Sequence, residues 1–447
     1  MSQSVKLIGI TKQITQNELP ELKVREEMQI FAGKAAGICY MPDDYFSKAF
    51  DDDEKSINRS KRNAVNGHYS VYEHGHINLI IQTSKIMAMI LNSLNLYATS
   101  EKSGRYTAMK PETELEQEMY AKWKNVFVEL ITPFYEKYLT EKEIDKLAME
   151  NARYMISVFT PTVMEYTIPY NRAILTCGWL YELADTIETF VDEHPKVLPK
   201  ISKYDYFYDR VKEECIELAD LLSGQIGITK NDHILDDHKK IGIEFFRTFG
   251  ALYKANMNGK ESVDMLSKFK FDNDNVNEYF GDVYTSRYKA SFAELAQGER
   301  HRTLHYSMEL PERLNPYIPK IIRGSAYEVE WTRDFDNLIS NKIIPQGTLV
   351  DIVEQGRFVD FVLKCKERLC SRAQLEIMEI TRDQLTRFTH YTGNLSYANR
   401  ALLEGMIIRP KNGNGDVVVK SRCNFPGYKC KEPCKVVNTN INYYRNA

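Results

Sequence analysis

Glu101-Lys102-Ser103-Gly104-Arg105-Tyr106 is the stretch from which the fold of this chain can be worked out. A second stretch, Gln297-Gly298-Glu299-Arg300-His301-Arg302, stands in the other half of the chain. A serine hydroxyl and a glycine amide let a phosphate approach closely, and an arginine can bind it through two parallel hydrogen bonds. Each stretch alone is an ordinary loop or basic turn. The first stretch has the hydroxyl, amide and guanidinium donors that a phosphate-binding loop needs.

Composition and charge set modest limits on the class of protein. The chain has 447 residues, enough for two or more domains, and 59 basic against 62 acidic side chains give a net charge of -3. Bulk charge therefore predicts no nucleic-acid binding, and any phosphate recognition must be local. The segment Met1–Lys12 lacks the features of a secretory signal, and polar residues interrupt the apolar run Ile77–Leu96. We expect a cytoplasmic protein that does not span a membrane.

The eight cysteines do not indicate a disulfide scaffold in a chain of this length. Three of them, Cys423, Cys430 and Cys434, cluster in a tail rich in Lys, Pro and Gly. Zinc would need a fourth Cys or a His beside them, and their spacing matches neither paired C-x-x-C units nor a familiar iron–sulfur run. We therefore predict no metal site, with a metal-bound tail as the alternative.

A repeated pentapeptide predicts that the chain is an internal duplication. Ile8-Gly9-Ile10-Thr11-Lys12 recurs as Ile226-Gly227-Ile228-Thr229-Lys230, at an offset close to half the chain. Ser223-Gly224-Gln225 is the predicted junction between the copies. The predicted domains are residues 1–223, residues 224–400 and a Cys-containing tail at 401–447.

Hydrophobic periodicity predicts the elements that flank the two stretches. In the first half, His76–Thr83 alternates like a strand, and Ser84–Leu96 reads as an apolar helix that leads towards Glu101. In the second half, Tyr288–Gly298 reads as a helix that delivers Arg300-His301-Arg302. Long amphipathic helices fill the intervals, at Glu112–Leu130 and Val211–Leu222.

Both stretches resemble pieces of the signature of flavin-dependent thymidylate synthases, in which R-H-R is followed shortly by E-x-S-x-R-Y. His68-Tyr69-Ser70-Val71-Tyr72-Glu73-His74 resembles the family's H-x-[ST]-x-[FY]-E-H segment. Further similarity lies at Arg153, at Tyr170-Asn171-Arg172, and at Arg368 with Ala373-Gln374. The resemblance implies an α/β fold of the α+β type, with two tandem domains that are each a twisted, mostly antiparallel sheet with flanking helices. It also implies a homodimer that forms a pseudo-tetramer.

The resemblance implies a reaction and the residues that serve it. The family methylates C5 of dUMP, with methylenetetrahydrofolate as carbon donor and NADPH as reductant through FAD. Because the cofactor carries the chemistry, no activated protein nucleophile is needed. The implied nucleotide-binding residues are Glu101, Ser103, Gly104, Arg105, Arg153, Gln297, Arg300 and Arg368. The implied flavin-binding residues are His68, Ser70, Glu73, Arg300, His301 and Arg302. The implied catalytic residues are Arg105, Arg300 and Arg368.

Each half departs from the family pattern where the other half matches it. At the place of R-H-R the first half has Ser93-Leu94-Asn95, with Ile90 at the expected glutamine. The second half has Asn341 where the first has Arg153. A fused chain that lost half of each motif in this complementary way would keep one composite site. Two alternatives stay open: an enzyme that adds hydroxymethyl or acts on dCMP or UMP, and a nucleotide-binding protein without catalysis.

Overall fold

The computed structural model describes residues 23–38, 52–93, 97–105, 107–193, 205–232, 235, 283–311, 313–370, 372–390, 395–410 and 417–429. We call the described residues up to 235 the first unit and those from 283 onwards the second unit. The first copy of the repeated pentapeptide, at 8–12, lies outside the described residues. The architecture mixes helices with small antiparallel sheets, so the α+β type that the resemblance implied is confirmed.

The first unit surrounds one three-stranded sheet with helices. Its strands are β1 (His76–Ser84), β2 (Ala98–Glu101) and β3 (Pro161–Pro169), paired antiparallel in the order β1-β3-β2. Its helices are α1 (Val24–Gly37), α2 (Asp53–Val65), α3 (Lys85–Asn92), α4 (Glu114–Tyr135), α5 (Glu141–Ala152), α6 (Tyr170–Glu193) and α7 (Asp205–Ile226). Side chains alternate between the two faces of the central strand β3. Every second residue from Thr162 to Ile168 is therefore buried.

The second unit has the same strand order in its own sheet. Its strands are β4 (Val283–Ser291), β5 (His305–Glu309) and β6 (Leu349–Arg357), in the order β4-β6-β5, with the two-residue strands β7 (Ile407–Ile408) and β8 (Val418–Val419) apart from them. Its helices are α8 (Phe292–Gly298), α9 (Ala326–Ser340), α10 (Phe358–Arg368), α11 (Leu375–Phe388) and α12 (Tyr397–Met406). Short 3₁₀ helices lie at Tyr69–Glu73, Arg153–Met155, Lys320–Ile322 and Arg422–Asn424.

The two units repeat a local arrangement where the first strand of each sheet turns into a helix. Ser84 and Ser291 end β1 and β4, and each side chain caps the helix that follows. The first helical residue then donates its backbone N–H to the segment before the central strand. In the first unit Lys85 N donates to Thr160 O at 3.0 Å, and the second unit has Phe292 N and Thr348 O at 3.3 Å. Lys85 and Phe292 are therefore structurally equivalent positions.

The units contact each other through equivalent backbone segments. Val158 N donates to Ile344 O at 2.9 Å, and Gln346 N donates to Ile156 O at 2.7 Å. Ile156 and Ile344 stand the same number of residues before β3 and β6, so the contact is reciprocal, as at a twofold axis. The sequence duplication and the domain limits given above stay predictions.

Three element boundaries differ from those that the sequence pattern predicted. The helix expected over 288–298 is wrong at its start, because β4 continues to Ser291 while its residues pair with β6. Helix α3 ends at Asn92, short of the expected Leu96. Helix α7 runs through the predicted junction at 223–225 and ends at Ile226, because Gly227 adopts a φ of 72° that stops a helix.

The described part of the C-terminal tail packs on the second unit. Leu403 and Phe425 are buried, and Arg422 N donates to Leu369 O at 2.7 Å. Cys423 is half-buried, whereas the other two tail cysteines, at 430 and 434, lie outside the described residues. Within the described ranges, no group of His, Cys, Asp and Glu is arranged to hold a metal ion. No helix in that same part of the chain is long and apolar enough to cross a membrane.

Candidate functional site

The first wall of the candidate site is the end of β2 and the loop that follows it. Glu101 is the last residue of β2, and its side chain is 10% exposed. The Ser103 hydroxyl accepts a hydrogen bond from Arg105 N at 3.2 Å, which tightens the loop. Gly104 is buried, and a Cβ at this position would lie 3.5 Å from Arg153 Cδ. The loop therefore lies against the Arg153 side chain. Tyr106 lies outside the described residues.

The second wall is the C-terminal end of α8 and the residues after it, which lie along the outer edge of β2. Arg300 Nη2 donates to Thr99 O at 3.0 Å, and its Nη1 lies 3.7 Å from Glu101 Oε2. Arg302 donates to Tyr97 O, and its guanidinium lies 5.7 Å from the centroid of the Tyr97 ring. The two stretches that began the sequence analysis are therefore in direct contact within one chain.

A chain of buried hydrogen bonds joins the two walls behind the loop. Arg153 Nη2 and Gln297 Nε2 both donate to the side-chain oxygen of Gln374, and Gln374 Nε2 donates to Tyr154 OH. Tyr154 OH donates in turn to Glu376 Oε2 at 2.9 Å. Arg153 and Tyr154 belong to the first unit, and the other three belong to the second. The network therefore holds the two units in one fixed arrangement at the site.

Arg105 forms another connection between the units. Its Nε makes a short ion pair with Glu150, and its Nη2 donates to Arg372 O at 2.5 Å. Glu150 lies in α5 of the first unit, whereas Arg372 precedes α11 of the second. The guanidinium is thus oriented from both sides before any ligand binds.

His301 serves as a neutral hydrogen-bond acceptor for Arg368. Arg368 Nε donates to His301 Nε2 at 2.7 Å, and its Nη2 donates to Gln297 O at 3.1 Å. Burial, and then the neighbouring Arg368 guanidinium, lower the pKa of the His301 imidazole to about 2. A neutral imidazole that accepts at Nε2 carries its proton on Nδ1. This arrangement fixes Arg368 beside Gln297.

Several buried polar atoms of the site have no hydrogen-bond partner among the described residues. They include Arg153 Nε, Gln297 Oε1 and both carboxyl oxygens of Glu294. Glu294 is fully buried on the face of α8 that also carries Gln297, and burial raises the pKa of its carboxyl group to about 8. A buried polar group without a partner costs roughly 1–3 kcal/mol. The site therefore has hydrogen-bonding capacity that the described residues do not use.

Positive side chains outnumber the carboxylates that pair with them in the site. The cations are Lys85, Arg105, Arg153, Arg300 and Arg368, and the paired carboxylates are Glu101, Glu150 and the exposed Glu367. Arginine donors held in a buried site suit a dianionic phosphate because each guanidinium can form two parallel hydrogen bonds with it. The donor set therefore fits a nucleotide.

The segment predicted to line the flavin lies apart from this cluster. Glu73 accepts a hydrogen bond from Asn171 Nδ2 at 2.9 Å and pairs with Arg172 Nε at 2.8 Å. The segment precedes β1, whereas Arg300-His301-Arg302 follows the outer edge of β2. Strands β1 and β2 are the opposite edges of the sheet, two strand spacings or roughly 10 Å apart. Within the same segment His68, Ser70 and His74 are exposed, whereas Tyr72 is buried.

The sequence identified residues of both walls but not the groups that connect them. Gln374 was noticed only as part of a resembling segment, although it contacts Arg153 and Gln297 directly. Glu150 and Lys85 gave no motif signal at all, because each acts through a partner distant in sequence. The nucleotide-binding, flavin-binding and catalytic roles assigned to the predicted residues stay predictions.

Comparison with known proteins supports the resemblance over the first unit. Residues 24–172 match the family model described as thymidylate synthase complementing protein, which is the flavin-dependent thymidylate synthase family. The match ends before the second unit, so Gln297, Arg300 and Arg368 lie outside it. No curated protein and no solved structure matches the chain significantly. Residues 24–172 are thus similar to this family, and the similarity implies a thymidylate synthase-like function.

Proposed function

We propose that the chain binds a pyrimidine deoxynucleotide between its two units and methylates C5 of dUMP, with methylenetetrahydrofolate as carbon donor, NADPH as reductant and FAD as cofactor. The single observation that carries the proposal is the hydrogen-bond network of Arg153, Gln374 and Gln297. It joins the residues predicted for the nucleotide from both halves of the chain. A protein that kept only a structural relic of the family would not need these polar groups buried together.

The proposed roles follow from the chemistry of each side chain. Arg105, with the Ser103 hydroxyl and the Gly104 amide, would bind the phosphate, since these donors lie in one loop. Gln297 Oε1 and Arg153 Nε would supply an acceptor and a donor that lack partners in the described part of the chain. Arg368, oriented by His301, would donate to a carbonyl oxygen of the pyrimidine. These contacts would hold the base in one orientation.

We further propose that two chains build each flavin site. A bound flavin would supply hydride chemistry at the pyrimidine, and the groups suited to hold it are Arg300, His301 and Arg302 with Glu73. The support is the separation of the two sets within one chain, on opposite edges of the sheet. A partner chain would bring its own Glu73 segment to the R-H-R residues, as the implied homodimer requires.

Flavin uptake is the first test of the proposal. We expect the purified protein to show the absorption of oxidised flavin in stoichiometric amount, or to acquire it on incubation with FAD and dUMP. Tritium release from C5-labelled dUMP, with product identification, then tests methyl transfer. Release from dCMP or a hydroxymethylated product would instead support the corresponding alternative. A chain that binds dUMP but never takes up flavin would contradict the enzymatic proposal.

Mixing inactive variants tests where each site is assembled. Arg105 and Arg300 face one nucleotide site within one chain, so Arg105→Ala and Arg300→Ala chains should not restore activity when they are refolded together. Arg300→Ala with Glu73→Ala should restore about a quarter of wild-type activity, because half of the random dimers are hybrids and each hybrid has one intact site of two. No recovery in the second mixture, with hybrid dimers verified, would place the flavin site within one chain.

A further inference from the structure

Lys85 lies in the candidate site although no motif marks it. Its Nζ donates to Glu101 Oε1 at 2.5 Å and to Lys102 O at 3.0 Å. The Lys85 side chain is 13% exposed, and Arg153 and Arg300 are close enough to oppose its charge. Burying a third cation beside two guanidinium groups is costly unless its contacts compensate. Lys85 contacts Glu101 and the backbone of the loop that we propose binds the nucleotide.

The second unit shows what the fold alone requires at these positions. Phe292 is equivalent to Lys85, since each is the first residue of a serine-capped helix. Met308 is equivalent to Glu101, because the two residues pair with Ile352 and Met164, each the fourth residue of its central strand. The same architecture thus has two buried apolar residues in one unit at the positions that form an ion pair in the other. Only the unit with the ion pair has the phosphate-type loop after the strand.

We propose that Lys85 is a positioning residue that orients Glu101 to accept a hydrogen bond from a sugar hydroxyl of the bound nucleotide. The inference rests on the proposed function and adds that the site recognises a sugar hydroxyl of the nucleotide. Lys85 and Thr162 both donate to Glu101 Oε1, the latter at 3.4 Å. Within the described residues Oε2 has only Arg300 Nη1, at 3.7 Å, which is beyond hydrogen-bonding distance. Oε2 is therefore the oxygen that can receive a ligand hydroxyl.

Removal of the Lys85 ammonium should release Glu101 towards Arg300. A carboxylate next to a guanidinium forms a bidentate ion pair when nothing else holds it. In that ion pair Glu101 Oε2 would accept from Arg300 and would no longer be free to accept from a ligand. The sugar hydroxyl would lose its acceptor, whereas the phosphate contacts of Arg105, Ser103 and Gly104 would remain.

The test measures by calorimetry how tightly the full-length protein binds dUMP and its 2′,3′-dideoxy analogue. The analogue lacks the 3′-hydroxyl of dUMP. The wild-type chain should prefer dUMP by about tenfold, the ratio that one well-formed hydrogen bond gives. Lys85→Met should lower dUMP affinity about tenfold and reduce the preference to less than about twofold, whereas Lys85→Arg should keep it. Lys320→Met, which removes an ion pair with Glu379 away from the site, should leave both affinities unchanged.

The outcomes distinguish a failure of the proposed function from a failure of the inference about Lys85. A wild-type chain that binds neither nucleotide overturns the proposed function and this inference together. A Lys85→Met chain that keeps the wild-type preference overturns only the inference, as does an equal loss of both affinities, which indicates general damage. If Lys85→Met does not fold, the double substitution Lys85→Phe and Glu101→Met introduces the two apolar residues that the second unit has at the equivalent positions. That variant should fold and bind the two nucleotides equally.

Discussion

Replacing Arg300 with alanine should weaken dUMP binding about 100-fold and abolish turnover. In the free protein Arg300 bonds to Thr99 O and faces Glu101, so its guanidinium lies where the two walls meet. Two hydrogen bonds to a charged ligand contribute about 3 kcal/mol in total, which corresponds to about two orders of magnitude in the dissociation constant. Equilibrium binding at fixed salt measures the change, because phosphate contacts weaken as ionic strength rises.

Arg287 is the matched control for this experiment. It is an exposed arginine of the same unit, on β4, on a face away from the buried core. Arg287→Ala removes the same charge and should change the dUMP dissociation constant by less than about twofold, because exposed charges are largely screened. Urea unfolding of both variants would check that the folded state survives. Equal affinities of Arg300→Ala and wild type would show that the nucleotide does not bind between the two walls.

The sheet strands were predictable where burial alternates along the chain. His76–Thr83 was expected as a strand, and β1 covers it, since Ile77 and Ile81 face the core while His76 and Asn78 face outwards. The start of α8 was mispredicted for the opposite reason. The segment from Tyr288 to Ser291 has helix-compatible residues, but its backbone is paired with β6, a partner distant in sequence. Tertiary pairing overrides local preference in such a case.

The site was partly predictable because its two walls carry recognisable residue spacings. Ser103-Gly104-Arg105 and Arg300-His301-Arg302 each suggest phosphate or flavin chemistry through residue type alone. Their contact depends on the way the two units pack, with reciprocal backbone hydrogen bonds such as that from Gln346 N to Ile156 O. No side-chain pattern in the sequence predicts these backbone contacts. Lys85 could not be predicted as a site residue for a related reason. A lysine after Ser84 is an ordinary helical residue in the sequence, and only the structure shows its contact with Glu101.

Replacing Lys364 with methionine should destabilise the second unit by roughly 3–5 kcal/mol, because it leaves a charged partner buried and uncompensated. Lys364 and Glu354 are both 0% exposed and form an ion pair at 2.6 Å. The hydroxyl groups of Tyr284 and Tyr288 also donate to Glu354, so the carboxylate stays in place when the ammonium is lost. Urea unfolding followed by circular dichroism would measure the loss. The unfolding free energy should depend on urea concentration with the same slope in the variant and the wild type.

The same sheet provides the control and the rescue that make this prediction specific. Lys289 and Asp351 form an ion pair between β4 and β6 at 3.1 Å, with side chains 62% and 46% exposed. Lys289→Met should cost about 1 kcal/mol or less, because water solvates the remaining carboxylate. Adding Glu354→Gln to Lys364→Met removes the buried charge, while the new amide accepts from one tyrosine hydroxyl and donates to the other, so at least half of the lost stability should return. If the double variant is as unstable as Lys364→Met alone, the loss comes from the packing of the lysine side chain and not from the uncompensated charge of Glu354.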